Sequence, residues 1–253
     1  MDNKQLETLT RIQKGLYETT KAVFPFDKRY RIKSFVLERP EGNIVIYHSS
    51  GLNEAVTDIQ LLGGASCVLM NHEHESLGGT PRIDIPFWIH RDDVADDVAA
   101  INRTVPIDGQ FEQRETIADD LEVIPTPGHT SGTTMFLWDN GEHRFLFTGD
   151  FLCVDDGEWR TVILNSSDRQ TSIKSLELIQ DLDFDAIVPW VAIEGEGAVF
   201  FVENEEDKRK RLQKLLIASV VVNIRNSHIK TLLLEVMVHE YKSRNQSYRT
   251  HST

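Results

Sequence analysis

The sequence predicts an α/β or α+β protein whose sheets are covered by helices. A strand-turn-strand pattern comes first, strands and helices then alternate, and the predicted strands are short apolar runs that end in polar residues. Such alternation is typical of sheets packed against helices. The chain has 253 residues, of which 40% are apolar and 26% are charged, so it is long enough to bury a sizeable core.

The first predicted elements are a β-hairpin and a helix. Residues 31–49, RIKSFVLERPEGNIVIYHS, contain two β-rich runs around the turn residues 40–43. Residues 52–64, LNEAVTDIQLLGG, show helical spacing and end in two glycines. The apolar face of this helix comprises Leu52, Ala55, Ile59 and Leu62.

Further strands and helices follow along the chain. The predicted strands are SCVLMNH (66–72), IPFWIH (85–90), LEVIPTPG (121–128), TTMFLWD (133–139), HRFLFTGD (143–150) and DAIVPW (185–190). Two amphipathic stretches predict helices, RDDVADDVAAI (91–101) and SDRQTSIKSLELIQDLD (167–183). Either Ser167 or Asp168 can cap the second of these helices.

Charge divides the chain near residue 205. Residues 208–253 carry ten Lys and Arg against two Glu, a charge of +8, whereas residues 1–207 carry 17 basic and 38 acidic residues, a charge of −21. The run ENEEDKRKRLQKLL has acids at its start and bases further along, which suits a helix dipole. We therefore predict a domain over residues 1–205 and a basic extension over residues 206–253, as a peripheral helix or a tail.

Composition excludes several classes of function. The net charge of −13 disfavours nucleic acid as a partner, because phosphate requires a basic surface. No apolar run reaches the roughly 20 residues of a membrane span, and the polar N-terminus does not resemble a signal peptide, so we expect a cytoplasmic protein with no membrane partner. Cys67 and Cys153 lie in apolar runs and are predicted to be buried thiols. We expect a small-molecule substrate; the apolar runs of residues 216–253 are compatible with a homodimer.

Side chains of the metal-binding type follow three predicted strands. His72 and His74 follow SCVLM, His129 follows LEVIP, and Asp150 follows HRFLFTG. Side chains two residues apart in an extended segment point to the same side, so His72 and His74 can reach one ion. Three imidazoles and a carboxylate suit Zn²⁺, and a smaller set of two imidazoles and a carboxylate suits Fe²⁺.

The order of these segments resembles the metallo-β-lactamase fold superfamily. The resemblance rests on NHEHESLGG (71–79), TPGHTSGTT (126–134) and FLFTGDFL (145–152), and it covers about residues 15–200. It implies a four-layer αββα sandwich with metal ions at one edge between the two sheets. It also implies hydrolysis of esters, thioesters, amides or phosphoesters, with Asp150 at the position of the carboxylate that bridges two metal ions in the family.

The chain departs from the family's pattern at the ligands of a second metal ion. The family's first motif reads His-x-His-x-Asp-His, whereas Ser76 and Leu77 follow the histidine pair here. His48 stands at the end of a strand that ends in aspartate in the family, and Trp190 lies near the position of the family's last histidine. The resemblance therefore implies a degenerate site that holds one ion.

The residues at these departures are additional site candidates. Glu75 has the chemistry of a catalytic base, although as a neighbour of His74 in an extended loop it should point away from it. Ser76 cannot serve as a base, because a hydroxyl is not basic at neutral pH. His48 is either an extra site residue or a buried histidine, and Trp190 is expected to fill the space of the missing ligand.

Three functions remain open on these residues. The main prediction is a hydrolase with one zinc ion held by His72, His74, His129 and Asp150, with Asp150 also acting in catalysis. The second is an Fe²⁺ dioxygenase of the persulfide type that uses two histidines and Asp150. The third is a catalytically impaired pseudo-hydrolase that retains the fold as a binding protein.

Overall fold

The structure is a computed structural model that describes residues 6–25, 27–94 and 105–221. Strands occupy much of these ranges: β1 (Leu9–Gln13), β2 (Leu16–Thr19), β3 (Ala22–Val23), β4 (Tyr30–Ile32), β5 (Phe35–Leu37), β6 (Ile44–Ile46), β7 (Val68–Leu69), β8 (Phe87–His90), β9 (Gly109–Phe111), β10 (Glu115–Ala118), β11 (Leu121–Pro125), β12 (Thr134–Asp139), β13 (Arg144–Gly149), β14 (Leu152–Asp155), β15 (Glu158–Thr161), β16 (Ala186–Pro189), β17 (Val191–Ile193) and β18 (Phe200–Phe201). The α-helices in these ranges are α1 (Val56–Leu61), α2 (Arg169–Gln180) and α3 (Glu205–Val221). Most of the helix predicted over residues 91–101 lies outside the described residues.

Two large sheets form the centre of the fold. One has seven strands in the order β1-β2-β5-β6-β7-β8-β9, and the other has six in the order β10-β11-β12-β13-β16-β18. In the first sheet β5 and β6 form the predicted hairpin, with Phe35 opposite Ile46 and Leu37 opposite Ile44. A three-stranded sheet, β17-β4-β3, and the hairpin of β14 and β15 complete the strands described.

Successive side chains along a strand point to opposite faces of its sheet. Both faces of each large sheet are covered, so the side chains on both faces are buried. The central layer between the sheets contains Phe35, Ile46, Leu69, Phe136, Phe147 and Val188. The outer layer beneath α1 contains Val36, Val45, Val68 and Ile59. The outer layer beneath α2 and α3 contains Leu137, Leu146, Ile187, Leu176 and Leu212. Three apolar layers separate helix, sheet, sheet and helix, so the predicted four-layer αββα sandwich is confirmed.

Strand direction brings several chain segments to one edge of the sandwich. In the seven-stranded sheet β6, β7 and β8 run parallel, so their carboxyl ends lie at the same edge. In the six-stranded sheet β11 and β13 are each antiparallel to β12, and β13 is parallel to β16. The loops that follow β7, β11 and β13 are the ones that carry the predicted metal-binding residues.

Helices α2 and α3 cover the six-stranded sheet. Asp168, one of the two predicted caps, accepts a hydrogen bond at Oδ1 from the Thr171 amide (3.0 Å) at the start of α2. α3 begins at Glu205, and its Leu212 and Leu215 are buried in the outer layer. No helix within residues 6–25, 27–94 and 105–221 is long and apolar enough to cross a membrane.

Asp58 of α1 connects this helix to the start of β1. Its Oδ2 accepts hydrogen bonds from the amides of Glu7 (2.8 Å), Thr8 (2.6 Å) and Leu9 (3.1 Å) and from the Thr8 hydroxyl (2.8 Å). Burial alone would raise the pKa of this carboxyl, but the hydrogen bonds from Thr8, Leu9 and Glu7 outweigh it and lower the pKa. The ionised form is therefore the one that the fold stabilises.

Asp58→Asn is expected to reduce the free energy of unfolding by about 1–2 kcal/mol at pH 7, because a neutral amide oxygen is a weaker acceptor than a carboxylate. A group with a lowered pKa stabilises the fold above its unfolded pKa of about 3.9, and this contribution is lost as the pH falls through the folded pKa. The gap between wild type and variant should narrow below about pH 4. Urea denaturation over a pH series measures the difference in the free energy of unfolding between wild type and variant. A difference that stays constant with pH would contradict the role of the charge.

Candidate metal centre

The structure brings together the four side chains that the sequence singled out as metal ligands. His72 and His74 follow β7 of the seven-stranded sheet, whereas His129 and Asp150 follow β11 and β13 of the six-stranded sheet. Each of the four side chains offers one nitrogen or oxygen atom to the cluster, and these four atoms all lie within 4.8 Å of one another. The two sheets therefore contribute two residues each to one cluster at their shared edge.

The distances within the cluster define its inner atoms. His74 Nδ1 lies 3.1 Å from His129 Nε2. Asp150 Oδ2 lies 3.5 Å from His72 Nε2 and 4.0 Å from His129 Nε2. The three imidazole rings stand nearly perpendicular to each other, with centroids 5.0–5.1 Å apart. His72 Nε2, His74 Nδ1, His129 Nε2 and Asp150 Oδ2 thus converge.

The backbone at the histidine pair differs from the extended loop that was predicted. His72 itself is extended, with φ −162° and ψ 168°, but a 3₁₀ helix begins at the next residue and spans Glu73–Gly78. The prediction of an extended segment through His74 is therefore wrong. The turn still directs both rings into the cluster, because a change of backbone direction after His72 brings His74 beside it.

Each histidine has an oxygen atom near the nitrogen that faces away from the cluster. His129 Nδ1 donates a hydrogen bond to the Val162 carbonyl (3.0 Å), which leaves Nε2 as the unprotonated nitrogen of the neutral ring. His72 Nδ1 lies 3.7 Å from Glu75 Oε1, and His74 Nε2 lies 3.7 Å from Glu73 Oε1. Of these three contacts, only that of His129 is within hydrogen-bond distance; metal-binding histidines commonly donate from the outer nitrogen to a carboxylate or carbonyl in this way.

Burial and the nearby charged groups shift the pKa values of the three rings in opposite directions. Burial on its own lowers the pKa of His72, but the carboxylates of Asp150 and Glu75 outweigh it and raise that pKa to about 10. Burial and the charge on His72 lower the pKa of His129 to about 4, and burial and the charges on His72 and His129 hold the pKa of His74 well below its usual range. The carboxylates of Asp150 and Glu75 thus favour positive charge at His72, whether a proton or a metal ion carries it.

The cluster contains buried polar atoms that have no hydrogen-bond partner among the described residues. They include both ring nitrogens of His72 and Oδ1 of Asp150. Native proteins rarely leave such atoms unsatisfied, and coordination to a bound ion is one way in which they are satisfied. Because His72 Nε2 and Asp150 lie on the inner side of the cluster, these residues fit a divalent metal ion.

Comparison with known proteins places this arrangement in a family. A sequence model of the metallo-beta-lactamase superfamily matches residues 64–189, a span that contains all four residues of the cluster. The chain belongs to the metallo-beta-lactamase superfamily. No protein with a curated function matches it in sequence.

Solved structures of superfamily members share the fold. A metallo-beta-lactamase from Pontibacter korlensis is 17% identical with a TM-score of 0.60, and the match covers 83% of this chain and 99% of that one. The metallo-beta-lactamase FIM-1 from Pseudomonas aeruginosa, in its mono-zinc form, is 15% identical with a TM-score of 0.56, covering 84% and 96%. One from Hirschia baltica is 13% identical with a TM-score of 0.58, covering 83% and 96%. At these identities the likeness concerns the fold alone.

Glu75 lies on the far side of His72 from the other residues of the cluster. Its carboxylate is fully buried and accepts hydrogen bonds from the amides of Asn71 (2.7 Å, at Oε1) and His48 (2.7 Å, at Oε2). These amides follow β7 and β6, so Glu75 joins the ends of two neighbouring strands. This geometry suits a support for His72 better than the catalytic base predicted from the sequence, because both oxygens are already engaged.

We expect Glu75→Gln to lower the free energy of unfolding by about 1–3 kcal/mol, since its amide nitrogen must face one of the two backbone N–H groups. The turnover of metal-loaded protein should fall by less than about tenfold. A general base typically contributes at least about 100-fold. Denaturation curves and steady-state kinetics separate the two roles: a loss of turnover above about 100-fold at unchanged stability would restore Glu75 as the base.

The other three candidates lie around the cluster rather than in it. The buried His48 ring donates from Nε2 to the Gly79 carbonyl (2.8 Å) and packs against Phe87. The Ser76 hydroxyl donates to the Glu73 carbonyl (2.7 Å). The buried Trp190 packs edge-on against the His72 ring, with centroids 5.5 Å apart, and donates from Nε1 to the His48 carbonyl (3.0 Å). Trp190 therefore packs beside His72, and its replacement of a missing ligand stays a prediction.

The cysteines are less buried than predicted. Cys67 and Cys153 are both free thiols of intermediate exposure. Burial and the charge of Asp150 raise the pKa of Cys153 to about 12, so this thiol stays protonated at neutral pH. Cys153 is not among the described residues that converge in the cluster.

Sequence reasoning missed two residues that support the cluster. Asp93 hydrogen-bonds to both histidine loops, and the Tyr47 hydroxyl accepts from the Gly149 amide (2.7 Å) and donates to the Val188 carbonyl (2.7 Å). Tyr47 has a positive φ of 66°, which is uncommon for a residue other than glycine. In the sequence, Asp93 is one of several acids in a run and Tyr47 is a tyrosine at the end of a strand. No sequence pattern distinguishes either residue as part of a site.

Proposed function

We propose that this chain is a metal-dependent hydrolase that binds one zinc ion through His72, His74, His129 and Asp150. Its substrate is a small molecule with an ester, thioester or related bond. Superfamily membership and the His/His/His/Asp cluster support metal-dependent hydrolysis. Zinc is favoured over iron because all three histidines converge with the carboxylate, which is the donor set and number that zinc prefers.

The observation that carries the proposal is the orientation of the three rings. Each inner nitrogen faces the cluster, whereas each outer nitrogen faces an oxygen atom of Glu75, Glu73 or Val162. The buried Nε2 of His72 has no hydrogen-bond partner among the described residues. His74 Nδ1 and His129 Nε2 lie within hydrogen-bond distance of each other (3.1 Å), but His72 Nε2 has no such partner in the described part of the chain, and coordination to a metal ion would satisfy this buried atom.

The chain's own residues hold the ligands and leave one side of the cluster accessible. A zinc ion in such a site lowers the pKa of a bound water and polarises a substrate carbonyl or phosphoryl oxygen. The side chains of His72 and His129 are almost fully buried, whereas those of His74 and Asp150 are 17% and 11% exposed. We infer that substrate approaches from the side of His74 and Asp150.

Asp150 is the carboxylate in the cluster that is available to move a proton. Its Oδ2 faces His72 and His129, and its Oδ1 is buried with no hydrogen-bond partner among the described residues. The hydroxyl of Ser76, at the position of the superfamily's aspartate, donates to a backbone carbonyl. We therefore assign the orientation of the attacking water and the acceptance of its proton to Asp150 Oδ1.

Metal content and a substrate panel test the proposal. The full chain, purified without added metal, is analysed for zinc and iron by mass spectrometry and then assayed with a chromogenic ester, a thioester and a β-lactam. About one equivalent of zinc with hydrolysis of one substrate class supports it. Iron with oxygen uptake on a persulfide would support the dioxygenase instead. A chain that binds zinc without hydrolysing any substrate would be a binding protein, and one that stays metal-free in added zinc would overturn both enzymatic functions.

A further inference from the structure

Asp93 is a buried carboxylate beside the cluster that the metal-dependent function does not itself require. It lies in the short 3₁₀ turn Arg91–Asp93 after β8, and it is 3% exposed. Its Oδ1 accepts a hydrogen bond from the Gly132 amide (2.6 Å). Its Oδ2 accepts hydrogen bonds from the Glu73 amide (3.0 Å) and the Thr130 hydroxyl (2.7 Å).

The donors to Asp93 belong to both loops that carry the histidines. Glu73 stands between His72 and His74, and Thr130 directly follows His129. One carboxylate therefore connects the loop after β7, in the seven-stranded sheet, with the loop after β11, in the six-stranded sheet. His74 Nδ1 and His129 Nε2, the inner atoms of these loops, lie 3.1 Å apart.

Close packing leaves this connection little freedom. A Cβ atom on Gly132 would lie 2.7 Å from Asp93 Cγ and 2.8 Å from the Asp93 amide nitrogen, so only glycine fits against the carboxylate. The Thr130 hydroxyl also lies 2.7 Å from the Thr133 hydroxyl, which in turn accepts from the Thr130 amide (2.8 Å). Hydrogen bonds between Thr130 and Thr133 therefore stabilise the His129 loop internally, and the loop is attached to Asp93 as one unit.

We propose that Asp93 is a positioning residue that sets the separation of the His72–His74 pair from His129, and so the affinity of the site for its metal ion. The inference rests on the proposed function, because it requires these histidines to bind a metal. Asp93 does not contact the ion in this role. It acts through the Glu73 amide and through the Thr130 hydroxyl.

Asp93→Asn is the direct test, because it preserves the size of the side chain. Whichever way the new amide turns, its NH₂ group faces a donor: the Gly132 amide on one side, or the Glu73 amide and the Thr130 hydroxyl on the other. The dissociation constant for zinc, measured by competition with a chromophoric chelator, should rise about 10- to 100-fold, the range for residues that orient metal ligands. The visible absorption spectrum of the cobalt-substituted variant should also change.

Asp58→Asn provides the matched control, because Asp58 is a buried carboxylate that joins two segments outside the cluster. It should leave the zinc dissociation constant and the cobalt spectrum unchanged. A gentler variant, Thr130→Val, removes one hydroxyl from Asp93 and should raise the dissociation constant about fivefold. This second variant keeps the test informative if Asp93→Asn fails to fold.

Hydrogen exchange of the metal-free proteins localises the effect. Asp93→Asn should accelerate amide exchange in residues 71–79 and 126–134 more than elsewhere in the chain, and Asp58→Asn should not accelerate these two segments preferentially. Unchanged zinc affinity in both Asp93→Asn and Thr130→Val, with zinc bound normally by the wild type, would overturn the inference and leave the proposed function intact. Faster exchange throughout the chain would overturn it too. A wild type that binds no zinc would overturn both.

Discussion

Replacing His129 with alanine is expected, on the proposed function, to abolish zinc binding and hydrolysis. The ring occupies the centre of the cluster, 3.1 Å from His74 and 4.0 Å from Asp150. Residues that only orient metal ligands change affinity about 10- to 100-fold, so loss of a ligand should weaken binding by more than about 100-fold. Zinc content after dialysis and the rate of ester hydrolysis measure the effect.

The control for this experiment is His143→Ala. His143 is partly exposed and lies beside Asp185 at the surface, outside the cluster. It should retain one equivalent of zinc and wild-type turnover. If the His129 variant still held stoichiometric zinc after dialysis, His129 would not be a ligand, and the assignment of the centre would have to change.

Gly149→Ala is expected to be strongly destabilising, because a side chain there has no space. Gly149 has φ +56°, and a Cβ atom at this position would lie 1.8 Å from Asn71 Oδ1 and 2.0 Å from Asn71 Cγ. Asn71 cannot retreat easily, because its side-chain amide donates to the Thr134 carbonyl and its backbone carbonyl accepts from the Thr134 amide (2.8 Å). Backbone strain and overpacking together should cost about 2–5 kcal/mol.

The position of Gly149 also predicts a loss of metal binding, since Asp150 is the next residue. Gly141→Ala separates the two causes of destabilisation: Gly141 also has a positive φ, of +80°, but a Cβ atom there meets nothing within 4 Å. Gly141→Ala should lower the free energy of unfolding only by the backbone strain, about 1–2 kcal/mol, and leave zinc binding unchanged. Urea denaturation of both variants compares their losses in the free energy of unfolding. Equal losses would show that Asn71 moves away from the new methyl group at little cost.

Much of the fold follows from local patterns in the sequence. The hairpin around residues 40–43, the buried face of α1 and the apolar strands β11, β12 and β13 all follow from period and composition. The convergence of His72, His74, His129 and Asp150 was predictable because these residues stand at strand ends, and parallel strands deliver their ends to one edge of a sheet. Residue types that bind metals, His and Asp, occur here at strand ends that the sheet topology places close together.

The remaining features depend on contacts between distant segments. Nothing near Glu75 in the sequence indicates that its carboxylate accepts from the amides of Asn71 and His48. Asp93 is equivalent to Asp92 by composition, yet only Asp93 is turned toward the two histidine loops. The 3₁₀ helix after His72 was missed for the same reason, because tertiary hydrogen bonds stabilise a turn that the local sequence does not specify.

The division of the four proposed ligands between the two sheets would link the lifetime of the protein to the supply of metal. With zinc bound as proposed, the ion joins the loop of His72 and His74 to that of His129 and Asp150, and so ties one half of the sandwich to the other. A ligand at about 100 times its dissociation constant stabilises the folded state by about 2.7 kcal/mol. Proteases that cleave transiently opened chains would then remove the metal-free form first, so that zinc scarcity would lower the amount of protein as well as its activity.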